Sequence, residues 1–352
     1  MDGRPNTSSL VITPEVLAAV ASLDEFKGAW RALGQLAPDR LSALRRVASV
    51  ESVGSSTRIE GSRMTDREVD ALLVDLETRS FRNRDEQEVA GYAQVLEAVF
   101  AGHEAMPPTE TVIRQLHRDL LAHSEKDVRH RGEYKAVPNP VQAVGPDGEV
   151  LGAAFETATP FETPACMEAL AGWLAEQEER GELHPLLVCG VFTVVFLAIH
   201  PFQDGNGRLS RILTTLLLLR AGYAHVPYAS LEAVVEERKL EYYRALRASQ
   251  DTLRGDAPDW SSWLDFFLGA LVEQHRRLRA KLDVEIQVFA RLPALSQRIV
   301  DLVRDHGRVT VADVVAATGD NRNTVKKHVQ RLAHEGRLQR HGAGRGAWYG
   351  PA

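Results

Sequence analysis

Twelve residues lying between two strongly apolar stretches concentrate the chemistry of this chain: His200-Pro201-Phe202-Gln203-Asp204-Gly205-Asn206-Gly207-Arg208-Leu209-Ser210-Arg211. Proline after His200 disfavours helical backbone there, so the preceding apolar helix should stop at the histidine. Asp204-Gly205 and Asn206-Gly207 are turn dipeptides whose glycines let the backbone approach a ligand closely. Successive N–H groups in such a turn make an anion-binding nest, and a following helix adds its N-terminal donors and dipole. Arg208 and Arg211 stand three apart on that helix and can serve one face. A polyphosphate fits such a loop. Asp204 puts a carboxylate beside the nest, suited to Mg²⁺ shared with phosphate oxygens and waters. His200, with an ordinary pKa of about 6.5, is the loop's candidate general base. Taken singly, each residue has a plainer reading as a helix cap or a solvent-facing charge, and only the combination favours chemistry.

The elements that must position this loop are mostly helical. Residues 14–105 show helical apolar spacing with few Gly or Pro after Pro38. Pro107-Pro108 interrupts it, and Thr109 can cap a helix running to about Ala122. Residues 129–163 mix β-prone pieces with Pro and Gly, and Pro146-Asp147-Gly148 signals a turn, which predicts a β-hairpin between helices. Helices resume at 164–181, 185–199 and about 207–221, and amphipathic segments fill 230–290, where Trp260, Trp263, Phe266 and Phe267 suit packing. The most apolar run, the fourteen uncharged residues from Leu186 to Ile199, falls short of the roughly 20 a bilayer span needs and predicts a buried core helix. No basic n-region precedes an apolar stretch at the N-terminus, so no signal peptide is expected. Cys166 and Cys189 sit in apolar surroundings without a CxxC partner, which excludes a disulfide framework and points to a reducing, cytoplasmic setting. The net charge is −6, but residues 293–352 carry +5 and the first 292 carry −11. A basic tail on an acidic body implies two modules with different partners.

The loop resembles the H-x-F-x-[DE]-G-N-G-R-x-x-R signature of the Fic family of protein adenylyltransferases, matching it at every specified position. Ile113, Leu116, His117 and Leu120, with Gly132-Glu133-Tyr134-Lys135, resemble the family's preceding helix and the start of its substrate-docking flap. Arginine is commoner at the last of these positions, so Lys135 departs mildly. Arg238, Tyr242-Tyr243, Leu246, Asp256, Trp260 and Phe266-Phe267 resemble its downstream helices. The resemblance covers about residues 10–290. It implies a mainly α fold, a Fic-type helical bundle with a small β-hairpin flap. It also implies that His200 takes the proton from a Tyr, Thr or Ser hydroxyl of a target protein attacking the α-phosphate of ATP. Asp204 would hold Mg²⁺, Gly205, Asn206 and Gly207 would cradle the phosphates, and Arg208 and Arg211 would neutralise the β- and γ-phosphate sides. Phe202 would pack beneath the loop. The flap, from Lys135, Ala136 and Val137 onward, would dock the target through strand-like pairing. A phosphotransferase branch carries lysine near position 207; Gly207 here favours AMP transfer.

Ser56-Thr57-Arg58-Ile59-Glu60-Gly61 matches the family's inhibitory pattern, [ST]-x-x-x-E-[GN]. Ser56 and Glu60 are i, i+4 on one helix face, and Gly61 suits a helix C-terminus. Glu60 paired with Arg211 would occupy the γ-phosphate's anchor, and in some relatives the corresponding glutamate also assists AMP removal. Residues 293–352 resemble a winged helix-turn-helix whose third helix carries Arg322, Asn323, Lys326, Lys327, His328 and Arg331, with Arg337, Arg340 and Arg345 on the wing. Such a module binds DNA or docks protein. The expected organisation is an inhibitory helical region (1–105), a catalytic core (106–222), its C-terminal helices (223–292) and the tail (293–352). Expected partners are ATP, a target protein, DNA through the tail and a second copy of the chain, with no membrane. The competing reading is a transcriptional regulator that senses nucleotide without turnover.

Overall fold

The computed structural model describes residues 3–33, 38–74, 76, 81, 83–144, 150–290, 292–342 and 344–351. In chain order the helices are α1 (Pro14–Leu33), α2 (Pro38–Ile59), α3 (Asp66–Val74), α4 (Arg84–Gly102), α5 (Glu110–Leu120), α6 (Thr163–Arg180), α7 (Pro185–Ile199) and α8 (Asn206–Arg220). They continue with α9 (Leu231–Glu237), α10 (Lys239–Gln250), α11 (Ser261–Ala290), α12 (Ala294–His306), α13 (Val311–Thr318) and α14 (Arg322–His334). The strands are β1 (Val141–Val144), β2 (Val150–Phe155), β3 (Val309–Thr310), β4 (Leu338–His341) and β5 (Trp348–Pro351). Two compact units result, Met1–Ala32 with Arg45–His275, and Leu33–Leu44 with Arg276–Ala352.

In the larger unit α7 is the central rod. The imidazole of His184 accepts from the Leu186 amide and Pro185 opens the first turn, so the helix starts sharply. Every residue from Leu186 to Ile199 is buried, as expected of a helix apolar all round. It packs against α6 and α8, while α4 packs on α5 and α8. The indole of Trp263 on α11 donates to the Gly190 carbonyl of α7 at 2.7 Å and packs on Tyr242 and Phe266. Thr109 caps α5 as its sequence predicts, its hydroxyl accepting from the Val112 amide. The expected hairpin is present, β1 antiparallel to β2 with Val141 opposite Phe155 and Val144 opposite Val150. The Pro146-Asp147-Gly148 turn lies outside the described residues. Both cysteines are buried and free. No helix among the described residues is long and apolar enough to cross a membrane.

The smaller unit runs α12, β3, α13, α14, β4, β5, and its three strands form an antiparallel sheet in the order β3-β5-β4. Thr310 and Asp313 make a reciprocal capping box at the start of α13, and Gly319 ends that helix in the left-handed region. Asn321 caps α14. Ile299, Val303, Val314, Val325, Val329, Leu332 and Tyr349 form a separate apolar core.

Trp263 is 1% exposed, so Trp263→Ala should cost about 3–5 kcal/mol through reduced burial and a residual cavity. Urea or guanidinium unfolding of the purified chain checks this, and a loss below about 1 kcal/mol would contradict its place in the core.

Candidate active site

The loop between α7 and α8 is pinned from both ends. At its start His200 is the one non-glycine residue with positive φ among the described residues, at φ 53° and ψ 60°. That conformation costs an L-residue about 1–2 kcal/mol, but it turns the chain out of α7 just before Pro201. The Nδ1 of His200 lies 3.4 Å from the Leu197 carbonyl. A carbonyl can only accept, so the proton belongs on Nδ1 and Nε2 keeps its lone pair. Burial, then the Lys135 charge, lowers the imidazole to about 4, against opposing pulls from the Leu197 carbonyl, Glu60 and Asp204. His200 is therefore neutral near pH 7.

At the other end Gly205, at φ 81°, opens α8. The Asn206 side chain donates to the Phe202 carbonyl and accepts from the Phe202 amide, at 2.7 and 2.9 Å. Asn206 thus fixes the loop with its side chain, leaving its backbone at the anion nest. Phe202 packs face to face on His117, the rings 3.8 Å apart and 11° from parallel. His117 accepts from the Gly132 amide through Nδ1, so Nε2 carries the proton and donates to the Asp204 carbonyl. One neutral imidazole thereby ties α5, the segment entering the flap and the loop together.

Arg211 lies 7% exposed on α8. Its Nε donates to the Ser56 hydroxyl at 2.8 Å, and Nη2 donates to the Ser56 carbonyl at 3.0 Å and to Glu60 Oε1 at 2.7 Å. A Cβ built on Gly207 would overlap the same Glu60 carboxylate. The carboxylate therefore sits against the first turn of α8 as well as on Arg211, where an anion is favoured by the amides and the dipole. Desolvation pushes Glu60 up, but the charge and hydrogen bond of Arg211, then Arg208 and His200, hold it below the usual carboxylate range.

The placement of Glu60 follows from how α2 ends. The Ser62 amide donates to the Thr57 carbonyl and the Gly61 amide to the Arg58 carbonyl, a Schellman closure made possible by Gly61 at φ 108°. Arg58 forks onto both Glu236 oxygens at 2.7 and 2.9 Å and also holds Asp66. The Lys239 amine caps the Ile59 carbonyl at 2.7 Å. These contacts from α3, α9 and α10 fix the last turn of α2.

Arg208 takes a different partner set from Arg211. It is 2% exposed and ion-paired with Glu88 at 3.1 Å and Asp204 at 3.2 Å. Asp204 also accepts from the Gly205 amide at 2.6 Å and from Arg84 at 3.1 Å. Burial raises Asp204, but Arg208, the Gly205 amide, Arg84 and Lys126 together keep it ionised. Lys135, expected on the docking flap, is turned inward: 3% exposed, its amine bonds the Ile199 carbonyl and the Thr157 hydroxyl. Ala136 and Val137 are exposed. Glu88, Arg84 and Tyr92, whose hydroxyl donates to the buried Glu232, do not stand out in the sequence. The i, i+4 spacing of Arg84 and Glu88 is a usable signal, since the two are paired; the reach of either to the loop is not.

Residues 107–218 match the model of the Fic/DOC family, and residues 290–346 match a family described as a bacterial protein of unknown function. A protein adenylyltransferase Fic of Drosophila virilis is 26% identical over 309 residues, 85% of this chain and 59% of that protein. A Fic family protein from Desulfovibrio desulfuricans G20 superposes at a TM-score of 0.63 with 22% identity, covering 98% of each chain. A Fic domain containing signaling protein from Bacteroides thetaiotaomicron superposes at 0.59 with 26% identity, covering 73% of this chain and 93% of its own. The chain thus has a Fic-type fold with residues 107–218 similar to the Fic/DOC family, and spans under two thirds of the Drosophila virilis protein's length.

His117 is fully buried and lowered by burial to about 4, against 6.5 when unfolded. The unfolded chain then binds more protons between these values, so stability is complete above about pH 6.5 and declines as pH falls toward 4. Denaturant unfolding of wild type and His117→Gln across that range should show a shallower pH slope for the variant. Identical slopes would mean that the fold leaves the His117 pKa at its unfolded value.

Proposed function

We propose that the protein is an adenylyltransferase that moves AMP from ATP to a hydroxyl of a target protein, held off by Glu60. The observation that carries this reading is one carboxylate seated both on Arg211 and against Gly207, in the place the loop builds for phosphate. In the reaction the target oxygen bonds the α-phosphorus as the α–β bridging bond breaks and pyrophosphate leaves. The hydroxyl proton passes to Nε2 of His200, which the Leu197 contact leaves free to accept. The first-turn amides of α8 and the arginines balance charge gathering on the leaving group.

A lone carboxylate beside the nest fits Mg²⁺, which completes its shell with phosphate oxygens and waters. Asp204 would hold the ion once Arg84 and Arg208 yield its oxygens, and the ion would neutralise phosphate charge. Among the described residues no cluster of three His, Cys, Asp or Glu offers an alternative metal cage. The exposed backbone at Ala136 and Val137 leads into β1, which would pair with a strand of the target. Removal of AMP would be a hydrolysis: water that gives a proton to Glu60 bonds the α-phosphorus, the bond to the target oxygen breaks, that oxygen takes a proton from His200, and AMP leaves.

Glu60→Gly should raise AMP incorporation on the order of tenfold to a hundredfold, since a charge-assisted contact to arginine is worth roughly 1.5–3 kcal/mol. Adding Arg211→Ala should erase the gain, and His200→Ala in the released background should stop transfer while ATP still binds. The assay is labelled-ATP transfer onto a cell lysate and onto the protein itself. Equal incorporation by wild type and Glu60→Gly would sink the inhibitory assignment, and ATP turnover without protein labelling would sink the transferase.

For the tail we propose a winged helix that contacts duplex DNA. Supporting it, α14 presents Arg322, Asn323, Lys326, Lys327 and Arg331 to solvent, while its opposite face buries Val325, Val329 and Leu332. His328 is drawn back onto Ser296 at 2.7 Å. The Lys326→Ala, Lys327→Ala double variant should lower duplex affinity and reduce the log-affinity against log-salt slope by roughly one for each phosphate no longer neutralised. Unchanged affinity and slope by fluorescence anisotropy would assign the tail to protein docking.

A further inference from the structure

The strained turn at His200 exposes carbonyls that a helix end cannot satisfy by itself, and residues flanking the hairpin donate to three of them, to that of Phe202 alongside Asn206. The Lys135 amine donates to the Ile199 carbonyl at 3.0 Å, and the Lys135 amide donates to the Pro201 carbonyl at 2.9 Å. The Asn139 amide group donates to the Phe202 carbonyl at 2.6 Å. Thr157 links the two donors, its hydroxyl accepting from the Lys135 amine at 2.9 Å and donating to the Asn139 side-chain oxygen at 3.2 Å. Lys135 and Asn139 precede β1 and Thr157 follows β2. Both roots of the hairpin therefore close on the backbone that aims the imidazole.

We propose that Lys135, Asn139 and Thr157 are positioning residues for His200, making the hairpin that receives the target and the base that serves it one mechanical unit. The proposal rests on the reading of His200 as the base and deepens it. An ammonium enclosed this far is costly unless its donors are used. Lys135 spends its charge at the C-terminal end of α7, where the helix dipole favours a cation. Cys166 and Glu162 also act on the amine, while Glu60 and Asp204 act on His200 itself. Packing alone would be met by an apolar chain of the same length. The circuit instead uses each polar atom of three side chains, and its donors meet the Ile199 and Phe202 carbonyls on either side of His200, which is geometry for aim.

A shift of about an ångström in a catalytic group costs on the order of a hundredfold in rate. In the Glu60→Gly background, Lys135→Met and Thr157→Val should each slow labelled-ATP self-modification on the order of tenfold to a hundredfold. The apparent KM for Mg-ATP should stay within about twofold, because ground-state nucleotide contacts are untouched. The double variant should be no slower than the worse single one, since both break the same circuit. Lys135→Arg, which restores a donor and a charge, should recover most of the rate. Independently of activity, the ¹³Cα and ¹³Cβ shifts of His200 in selectively labelled protein should leave the left-handed signature in Lys135→Met and Thr157→Val, and keep it in Lys135→Arg. Unchanged His200 shifts in the first two variants overturn the proposal, as does a rate loss that tracks KM or thermal stability instead of kcat. If the released parent transfers no AMP, the functional reading fails, and the carbon shifts alone decide whether the clamp exists.

Discussion

A guanidinium shut among apolar helices has to be met by an anion, and the arrangement of the active site follows from that constraint. Arg211 projects from α8, whose residues from Arg208 to Leu219 are buried. Leaving such a charge unpaired costs several kcal/mol, so some acceptor must always be present. Ser56 supplies a hydroxyl and a carbonyl that stay in place, and Glu60 supplies the negative charge. A terminal phosphate is the same kind of partner with more charge. On the proposed reading, inhibition and activation would be two solutions to one desolvation problem, and α2 supplies the groups of the first.

How firmly that first solution holds depends on residues remote from the loop. The fork from Arg58 to Glu236, its bond to Asp66 and the Lys239 cap on Ile59 tie the final turn of α2 to three neighbouring elements. Bidentate pairs of this type carry more energy and direction than a single contact. Since Ser56 lies one turn before Glu60 on the same helix, the fixed end of α2 presents both groups to Arg211 in register. The Glu60 carboxylate needs no strain of its own. The strain is instead at His200, where the left-handed backbone is retained by neighbours on every side: His117 beneath Phe202, Asn206 across the turn, and the hairpin roots on its carbonyls.

Local signals carry most of the fold and part of the site. Helices around α7 and α8 follow from uninterrupted apolar runs, and their ends from Pro185, Pro201 and Gly205, because these effects operate within one or two turns. Ser56 and Glu60 are legible because i, i+4 spacing on a helix fixes a shared face. Glu88, Arg84 and the partner of Arg208 are not, because an ion pair between α4 and α8 depends on how two helices pack over more than a hundred residues of sequence. Lys135 misleads for the same reason. Beside Ala136 and Val137 it reads as part of an exposed strand edge, and only the tertiary position of Ile199 and Thr157 turns its amine inward. His117 gives no sign of its stacking partner beyond its place on an amphipathic helix.

Charge balance within the pocket explains why a polyphosphate, rather than a simple anion, is the fitting replacement for Glu60. Arg208 is already neutralised by Glu88 and Asp204, and Arg84 by Glu88 and Asp204 as well. Departure of Glu60 therefore frees one full positive charge, on Arg211, and the partial charge at the start of α8. A single small anion would satisfy Arg211 no better than the carboxylate did. On the proposed reading, a chain of phosphates would meet Arg211 at one end, the α8 amides in the middle and a cation on Asp204 alongside, collecting contacts that no one carboxylate spans. The −11 borne by the first 292 residues hardly alters this balance, because exposed charges beyond a Debye length of about 8–10 Å are screened. The selectivity of the site is therefore set by the few groups that touch the loop, and it favours a ligand long enough to touch them all at once.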